Sequence, residues 1–312
     1  MSSQEFAGPE IDGSLAGKVA IVTGGGRGLG YAYAAALASA GAAVVVNDVD
    51  PDVAQAAVDS IIAAGGRAVP GVGAVGSTEV AEALVQTAVD AFGRLDILVT
   101  NAGILRDAVL WKMSDDDFDD VIRVHLRGTF TCVRAAAIRF RQQGEGGRII
   151  CVGSPTGQVG NFGQTNYAAA KAGIVGMVRT WSMELARAGV TVNAIIPVAA
   201  TGMTETVPFL APYVEALREG REVSPYARRE LSFGSSDDVA GLVVFLAGAE
   251  AAEVSGQVVG LGGDRLALWA HPVEAVVSFA DGGWTAEAIA EVWPKTFADA
   301  VQPVGQHFPE PY

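Results

Sequence analysis

The sequence is poor in cationic residues and in histidine. Its 312 residues include 21 lysines and arginines against 35 aspartates and glutamates, which gives a formal net charge of -14. A surface of this charge repels phosphate backbones and anionic lipid headgroups, so we expect no nucleic-acid partner and no membrane partner. His271 and His307 have no cysteine or carboxylate partner at metal-ligand spacing, and we therefore expect no metal site.

The sequence also contains few cysteines and no long apolar run. Cys132 and Cys151 both fall in predicted secondary structure, which favours a reduced protein, although one buried disulfide is an alternative. No apolar stretch approaches the roughly 20 residues of a membrane span. The polar N-terminal tail, residues 1–14, lacks the basic and apolar regions of a signal peptide. These absences predict a cytoplasmic protein.

Short apolar runs alternate with alanine-rich stretches of helical spacing. The runs predict strands over 18–23, 43–48, 67–72, 95–100, 148–153, 190–196 and 257–260. The stretches between them predict helices over 29–40, 53–64, 80–92, 115–142, 164–188 and 237–248. Runs that are apolar throughout, such as 44–46, suit strands covered on both faces. The pattern predicts an α/β fold of the Rossmann type, with a doubly wound parallel sheet of about seven strands.

Two stretches depart from this alternation. Residues 199–234 contain three prolines and several charges, and we expect an irregular or short-helical insertion within a domain that spans 15–265. Residues 266–312 contain Trp269, Trp284 and Trp293. Because this segment is too aromatic for a disordered tail, we expect an ordered C-terminal extension that packs on the body or on a partner subunit.

A glycine-rich turn follows the first predicted strand and precedes the first predicted helix. Glycine tolerates positive φ and has no Cβ where a pyrophosphate must approach the backbone. The helix that begins near Gly28 offers free N–H groups and a positive dipole end to the anion. The turn in this context predicts a dinucleotide site. Its predicted members are Gly24, Gly26, Arg27, Gly28, Leu29 and Gly30.

Asp48 ends the second predicted strand. A carboxylate there accepts hydrogen bonds from both ribose hydroxyls of an adenosine and repels a 2′-phosphate, so it favours NAD over NADP as the cofactor. The alternative is that Asp48 only caps the turn ahead of Pro51. Arg27 argues mildly for NADP, but the position of the carboxylate is the more specific feature.

Tyr167 and Lys171 lie four residues apart on a predicted helix and so share one face. We expect the buried ammonium to lower the tyrosine pKa from about 10 towards neutrality. The phenolate could then take a proton from a substrate hydroxyl while hydride leaves the carbon. Ser154, after the fifth strand, would orient the substrate oxygen. A hydrolase nucleophile is disfavoured because the stretch 152–156 lacks the second glycine of a nucleophile elbow.

With these motifs the chain resembles the short-chain dehydrogenase/reductases over residues 15–263. The resemblance also rests on Asn101-Ala102-Gly103 after the fourth strand and on Pro197 after the sixth. It implies hydride transfer with nicotinamide, and a bond from Lys171 to the nicotinamide ribose. It further implies self-association as a homodimer or homotetramer through the helix of Tyr167 and the helix after Asp237. The implied cofactor contacts are Asn101, Ala102, Gly103, Tyr167, Lys171, Pro197, Ala199 and Thr201.

The segments 101–107, 124–128, 160–164 and 203–207 support a narrower resemblance. They are similar to the (3R)-hydroxyacyl-CoA dehydrogenase units of type 2 peroxisomal multifunctional enzymes and their bacterial relatives. This implies NAD-dependent oxidation of a fatty or steroid side-chain 3-hydroxyacyl-CoA. One alternative is an NAD(P)-dependent hydroxysteroid or other secondary-alcohol dehydrogenase, or a carbonyl reductase. The other, a non-catalytic NAD-sensing protein, is disfavoured by the intact Ser154, Tyr167 and Lys171.

Two positions depart from the broad family pattern. His125 stands where most members carry an asparagine whose main-chain carbonyl holds a water in a proton relay. We include His125 among the catalytic candidates, with a satisfied helix histidine as an equal alternative. Ala74 and Val75 stand where an aspartate often bonds the adenine amine, so we assign them to the cofactor site without that bond. For Arg106 and Asp107 we favour a structural ion pair over a substrate contact.

Overall fold

The computed structural model describes residues 14–200 and 210–306. The strands are β1 (Val19–Thr23), β2 (Ala43–Asp48), β3 (Arg67–Val72), β4 (Ile97–Thr100), β5 (Gly147–Val152), β6 (Val190–Pro197), β7 (Val258–Gly262) and β8 (Arg265–Leu268). The helices are α1 (Gly28–Ser39), α2 (Pro51–Ala63), α3 (Thr78–Phe92), α4 (Asp115–Val121), α5 (Gly128–Gln143), α6 (Thr156–Val159), α7 (Thr165–Glu184), α8 (Ala211–Arg218), α9 (Pro225–Arg229), α10 (Asp237–Ala247) and α11 (Ala286–Thr296).

The strands form one sheet in the order β3-β2-β1-β4-β5-β6-β7-β8. All neighbours are parallel except β7 and β8, which are antiparallel. Val22 of β1 pairs with Val46 of β2 on one side and with Val99 of β4 on the other. Because the strand order reverses between β1 and β4, a crevice opens at the carboxyl ends of these two strands. The predicted Rossmann-type α/β fold is confirmed.

Helices cover both faces of the sheet. On one face α1, α2 and α10 pack over side chains of the central strands, including Val22 and Val44. On the other face α3, α5 and α7 pack over the alternate positions, including Ile21 and Val45. Neighbouring residues of a strand point to opposite faces, so continuous apolar runs are required here. This is the physical basis of the runs seen in the sequence.

The helix predicted over 115–142 is interrupted. A π-helical turn, Ile122–Arg127, lies between α4 and α5 and contains the buried His125. A π turn adds one residue to the helical period, and six residues of mixed polarity are too few to reveal that addition in the sequence. None of the helices within 14–200 and 210–306 is both long and apolar enough to cross a membrane.

An eighth strand was not predicted. β8 turns back at Gly263 and pairs with β7, Leu268 opposite Val259 and Arg265 opposite Gly262. Gly263 has a φ of +50°, and a Cβ there would lie 2.4 Å from the carbonyl oxygen of Arg228. The predicted boundary after residue 265 therefore divides a hairpin, and the C-terminal segment begins by extending the sheet.

The two irregular segments differ in packing. The described part of the insertion contains α8 and α9, which enclose a small apolar cluster centred on Phe233. In the C-terminal extension, Trp269 packs against the main core, whereas Trp284 and Trp293 are 41% and 50% exposed. The extension returns to the body at its end, where the N–H of Gly305 donates to the carbonyl of Val159 at 2.7 Å.

Tyr33 of α1 is fully buried, and among the described residues its hydroxyl has no hydrogen-bond partner. We predict that Tyr33→Phe raises the free energy of unfolding by about 1 kcal/mol, because it removes an unpaired polar atom from the core. Tyr31→Phe on the same helix, at a partly exposed position, is the control and leaves stability unchanged. Urea denaturation measures both. A destabilised Tyr33→Phe would show that the hydroxyl has a partner.

Candidate active site

The glycine-rich turn lies at the carboxyl end of β1, where the backbone approaches other chain segments closely. Gly24 has a φ of +58°, and a Cβ on it would lie 2.8 Å from the Cα of Ala102. A Cβ on Gly30 would lie 2.0 Å from the carbonyl oxygen of Gly24. A Cβ on Gly26 would lie 2.7 Å from a carboxylate oxygen of Asp48. A side chain at Gly24 or Gly30 would collide with backbone and displace the turn, whereas at Gly26 it would collide with the side chain of Asp48.

Buried polar side chains join β1 to β4 across the crevice. The hydroxyl oxygen of Thr23 accepts hydrogen bonds from the N–H groups of Asn101 and Ala102, at 3.0 and 3.1 Å. The amide of Asn101 donates to the carbonyls of Thr23 and Gly24. The turn and the segment that begins at Asn101 therefore form one unit. Thr23 was not among the predicted site residues.

Asn47, also not predicted, performs the same task on the β2 side. Its amide donates to the carbonyls of Gly71 and Gly73 at 2.8 and 2.9 Å, and its oxygen accepts the N–H of Gly24 at 3.4 Å. The residue is almost completely buried. A polar residue near the end of an otherwise apolar strand was the available indication of this role.

A cavity of about 750 Å³ lies above these strand ends. The predicted cofactor residues that line it are Gly24, Arg27, Gly28, Leu29, Gly30, Asp48, Ala74, Val75, Asn101, Ala102 and Gly103. Its wall continues along 104–106, a stretch that was not predicted. A narrow glycine cradle at the start of α1, with a carboxylate farther along, fits the pyrophosphate and the adenosine ribose of a dinucleotide.

The carboxylate of Asp48 is buried in the cavity wall, and one of its oxygens accepts the N–H of Asp50 at 3.2 Å. The cap of α2 is Asp50 itself, which accepts from the N–H groups of Asp52 and Val53. The alternative role for Asp48, a cap ahead of Pro51, is therefore carried by Asp50. One oxygen of Asp48 accepts the N–H of Asp50, and the residue also lines the cavity.

Ser154, Tyr167 and Lys171 come together beside this cavity. Ser154 follows β5, and its hydroxyl lies near enough to the hydroxyl of Tyr167 to act on the pKa of the tyrosine. The serine oxygen also accepts the N–H of Thr156 at 3.2 Å. Lys171 is fully buried one helical turn beyond Tyr167, and its ammonium donates to the carbonyl of Val152 at 2.6 Å. Its Nζ lies 5.5 Å from the centre of the tyrosine ring.

The predicted direction of the tyrosine pKa shift is wrong. Burial raises the pKa of Tyr167, and the hydrogen bond from Ser154 only partly opposes this. Burial also lowers the pKa of Lys171 to about 7. Spacing along a helix predicted that the two groups would be neighbours. It could not show that burial is the largest influence on the pKa of each group.

Asn166, immediately before the tyrosine, fixes the position of the helix start. Its amide donates to the carbonyls of Arg106 and Asp117, both at 3.0 Å, and its oxygen accepts the N–H of Tyr167 at 2.7 Å. This side chain is fully buried and uses every hydrogen-bonding group it has. Asn166 was not among the predicted site residues, because its two carbonyl partners lie 60 and 49 residues away along the chain.

The ion pair favoured for Arg106 and Asp107 is not formed. Asp107 accepts a hydrogen bond from the amide of Gln164 at 2.9 Å. Arg106 donates to the carbonyl of its own neighbour, Leu105. Asp107 therefore has a structural role, since it ties the cavity wall to the start of α7.

His125 lies between the cavity wall and the tyrosine. Its Nε2 is 3.0 Å from the nitrogen and 2.8 Å from the oxygen of Ile104. Its ring meets the ring of Tyr167 edge-on, with centres 5.1 Å apart. Burial, assisted by the charge of Lys171, lowers the pKa of His125 to about 3. The ring is therefore neutral at ordinary pH.

The remaining predicted positions fall at the end of β6 or outside the site. Pro197 ends β6, and the buried Ala199 follows it. Thr201 lies outside the described residues. Cys132 and Cys151 are both free and buried, so the alternative of a disulfide is wrong. In the described ranges no group of three or more His, Cys, Asp or Glu side chains could hold a metal ion.

The burial of Lys171 has a consequence for stability. Its folded pKa of about 7 lies below its usual 10.5, so between these values the unfolded chain binds a proton that the folded chain lacks. Stability therefore rises with pH across this window. We predict that Lys171→Met raises the free energy of unfolding at pH 7 by about 1–3 kcal/mol, because a buried charge is replaced by an apolar group.

Thermal unfolding at pH 7 tests this, with Lys112→Met at an exposed lysine as the control that leaves the melting temperature unchanged. A Lys171→Met variant that melts below the unmodified protein would contradict the prediction.

Comparisons with known proteins agree with this geometry. Residues 18–208 match the family model for short chain dehydrogenases. The chain is 44% identical to the hydroxyacyl-CoA dehydrogenase ChsB1 of Mycobacterium tuberculosis, over 83% of this chain and 81% of that protein. It is 39% identical to peroxisomal multifunctional enzyme type 2 of Mus musculus, over 92% of this chain but 38% of that protein.

A shorter relative and a solved structure extend the comparison. The 3-oxoacyl-[acyl-carrier-protein] reductase FabG of Thermotoga maritima is 38% identical over 80% of this chain and 98% of its own length. A crystal structure of a short chain dehydrogenase from Mycobacterium avium covers 93% of this chain and 98% of its own, with a TM-score of 0.80 and 36% identity. The chain belongs to the short-chain dehydrogenase family, whose members use NAD(H) or NADP(H), and it is an oxidoreductase that acts on CH–OH groups.

Proposed function

We propose that the protein oxidises a 3-hydroxyacyl-CoA, of a fatty or steroid side chain, to the 3-oxoacyl-CoA with NAD, reversibly. The observation that carries this is the proximity of Ser154 to Tyr167, with Lys171 buried beside them and a cavity lined by the glycine turn nearby. Bound in the cavity, NAD would supply the acceptor for the hydride that leaves the carbinol carbon. The protein must hold the substrate oxygen and remove its proton.

Tyr167 removes that proton in the proposed reaction. Ser154 donates to the substrate oxygen or to the tyrosine oxygen, so both oxygens are held within hydrogen-bond reach of one hydroxyl. Because burial raises the pKa of Tyr167, its basic form depends on the positive charge of Lys171 nearby. In the reverse direction the tyrosine hydroxyl donates its proton to the carbonyl oxygen. In this proposal the charge of Lys171 stabilises the basic form of Tyr167.

The substrate class rests on the relatives. The mycobacterial relative is named for hydroxyacyl-CoA and the Thermotoga relative for 3-oxoacyl groups on acyl-carrier protein. Both substrates are acyl thioesters. The higher identity to the mycobacterial protein, and the similarity of the segments around Asn101 and Phe162 to type 2 enzymes, favour CoA as the thiol.

Self-association stays a prediction. Phe130 and Ile138 on α5, Met183 on α7 and Phe245 on α10 expose apolar side chains, as expected of helix faces that a second copy covers.

Formation of NADH from racemic 3-hydroxydecanoyl-CoA tests the proposal. We predict turnover by the unmodified protein and a loss of about 10²–10⁴-fold in Tyr167→Phe, the range that a general base contributes. Tyr33→Phe, which removes the same atom from a buried tyrosine of α1, is the matched control and keeps full activity.

The outcomes separate substrate from mechanism. Equal turnover by the unmodified protein and Tyr167→Phe would overturn the assignment of the base. No turnover by either would reject this acyl chain and direct the assay to steroid-sized CoA esters and then to free secondary alcohols.

The choice of NAD is tested at Asp48, whose carboxylate lies in the cavity wall against Gly26. We predict that Asp48→Asn lowers the ratio of kcat/KM for NAD to that for NADP by about ten-fold or more, because the charge that repels a 2′-phosphate is removed. Asp50→Asn, two residues on, removes the same charge from the cap of α2 and should leave the ratio unchanged. An unaltered ratio in Asp48→Asn would reject the ribose contact.

A further inference from the structure

His125 contacts two parts of the active site at once. Through Nε2 it contacts the backbone of Ile104, in the wall of the nucleotide cavity. Through the edge of its ring it contacts Tyr167. The fit is close, because a Cβ on Gly103 would lie 2.2 Å from the Cε1 atom of the histidine. The ring is therefore packed closely against the backbone of Gly103 as well.

The other ring nitrogen, Nδ1, is buried and has no hydrogen-bond partner among the described residues. An unpaired polar atom in a buried position opposes folding. Folding stability alone therefore does not favour histidine here over an apolar residue of similar size. The hydrogen bonding of the ring is directed to Ile104.

The cavity wall is held a second time, two residues farther on. Asn166 donates to the carbonyl of Arg106 and accepts the N–H of Tyr167. His125 and Asn166 thus connect the stretch 104–106 to the tyrosine from two different elements, the π-helical turn and α7. Two separate sets of contacts therefore join the cavity wall to the tyrosine.

We propose that His125 is a positioning residue: its neutral ring holds the backbone of Ile104 with Nε2 and the ring of Tyr167 with its edge. The cavity wall and the tyrosine hydroxyl then keep one relative placement. This rests on the proposed function, in which the cavity takes the nucleotide and Tyr167 moves the proton. His125 itself exchanges no proton during turnover and has no need to touch the substrate.

Two substitutions separate the two contacts. In His125→Gln the carboxamide has a donor and an acceptor for the oxygen and nitrogen of Ile104 but has no ring against Tyr167. In His125→Leu both contacts are lost while an apolar side chain fills the space. The readouts are the Kd of NADH from a fluorescence titration, which needs no turnover, and kcat with 3-hydroxydecanoyl-CoA. Melting temperatures verify that each variant is folded.

For His125→Gln we expect a Kd of NADH within about two-fold of the unmodified protein and a kcat lowered about ten-fold, because the tyrosine is less well placed. For His125→Leu we expect a similar fall in kcat and, in addition, a Kd raised about ten-fold, since the backbone of Ile104 loses its partner. The dependence of kcat on pH should keep its shape in His125→Gln. In His125→Gln, NADH binding is thus kept while kcat falls. A general loss of structure would weaken both.

Three results would overturn the proposal. Unchanged NADH binding in His125→Leu would show that the wall does not depend on the ring. A normal kcat in His125→Gln would show that the placement of Tyr167 does not depend on the ring. Loss of an acidic limb from the pH profile of His125→Gln would make the histidine a proton carrier. If the unmodified protein does not turn over the CoA ester, the proposed substrate fails, while the NADH titrations still decide whether His125 holds Ile104.

Discussion

The close approach of the backbone at Gly24 to Ala102 is the constraint on which the site depends. β1 and β4 are neighbours in the sheet, but α1 leaves β1 towards one face and α5 covers β4 from the other. The chain must therefore separate at this point. Thr23 and Asn101 hold the two ends together by hydrogen bonds that use the backbone atoms exposed by the separation. The crevice that results is bordered by the glycine backbone at the start of α1, which is suited to an anionic ligand.

The groups that we propose to be catalytic are, in contrast, removed from solvent. Lys171 is buried with a single carbonyl partner, and burial shifts its pKa and that of Tyr167 towards their neutral forms. An arrangement of this kind opposes folding and favours reactivity, because small changes in the surroundings can transfer charge between the two groups. The apolar core between the sheet and its two helix layers offsets the free-energy cost of burying these two groups.

Much of this arrangement could be predicted from the sequence because it depends on short-range patterns. Apolar runs marked all seven of the parallel strands, and the structure places the glycine turn and Asp48 at the cavity and Lys171 one helical turn beyond Tyr167 on α7. What could not be predicted depends on contacts between distant segments. Asn166 is recognisable only once its partners at 106 and 117 are known, and the π-helical turn around His125 leaves no periodic trace. The direction of the Tyr167 pKa shift depends on burial, which no spacing reports.

The hairpin of β7 and β8 makes the start of the C-terminal segment part of the sheet. Without β8, the hydrogen-bonding groups along β7 would be open to pairing with any extended chain, as at the rim of an unfinished sheet. The four residues of β8 occupy them, and three of the four come from the predicted C-terminal extension. The sheet therefore continues as far as Leu268. A chain cut at residue 263, where the family resemblance ends, would leave one edge of β7 unpaired. That edge would be open to association with other copies of the chain.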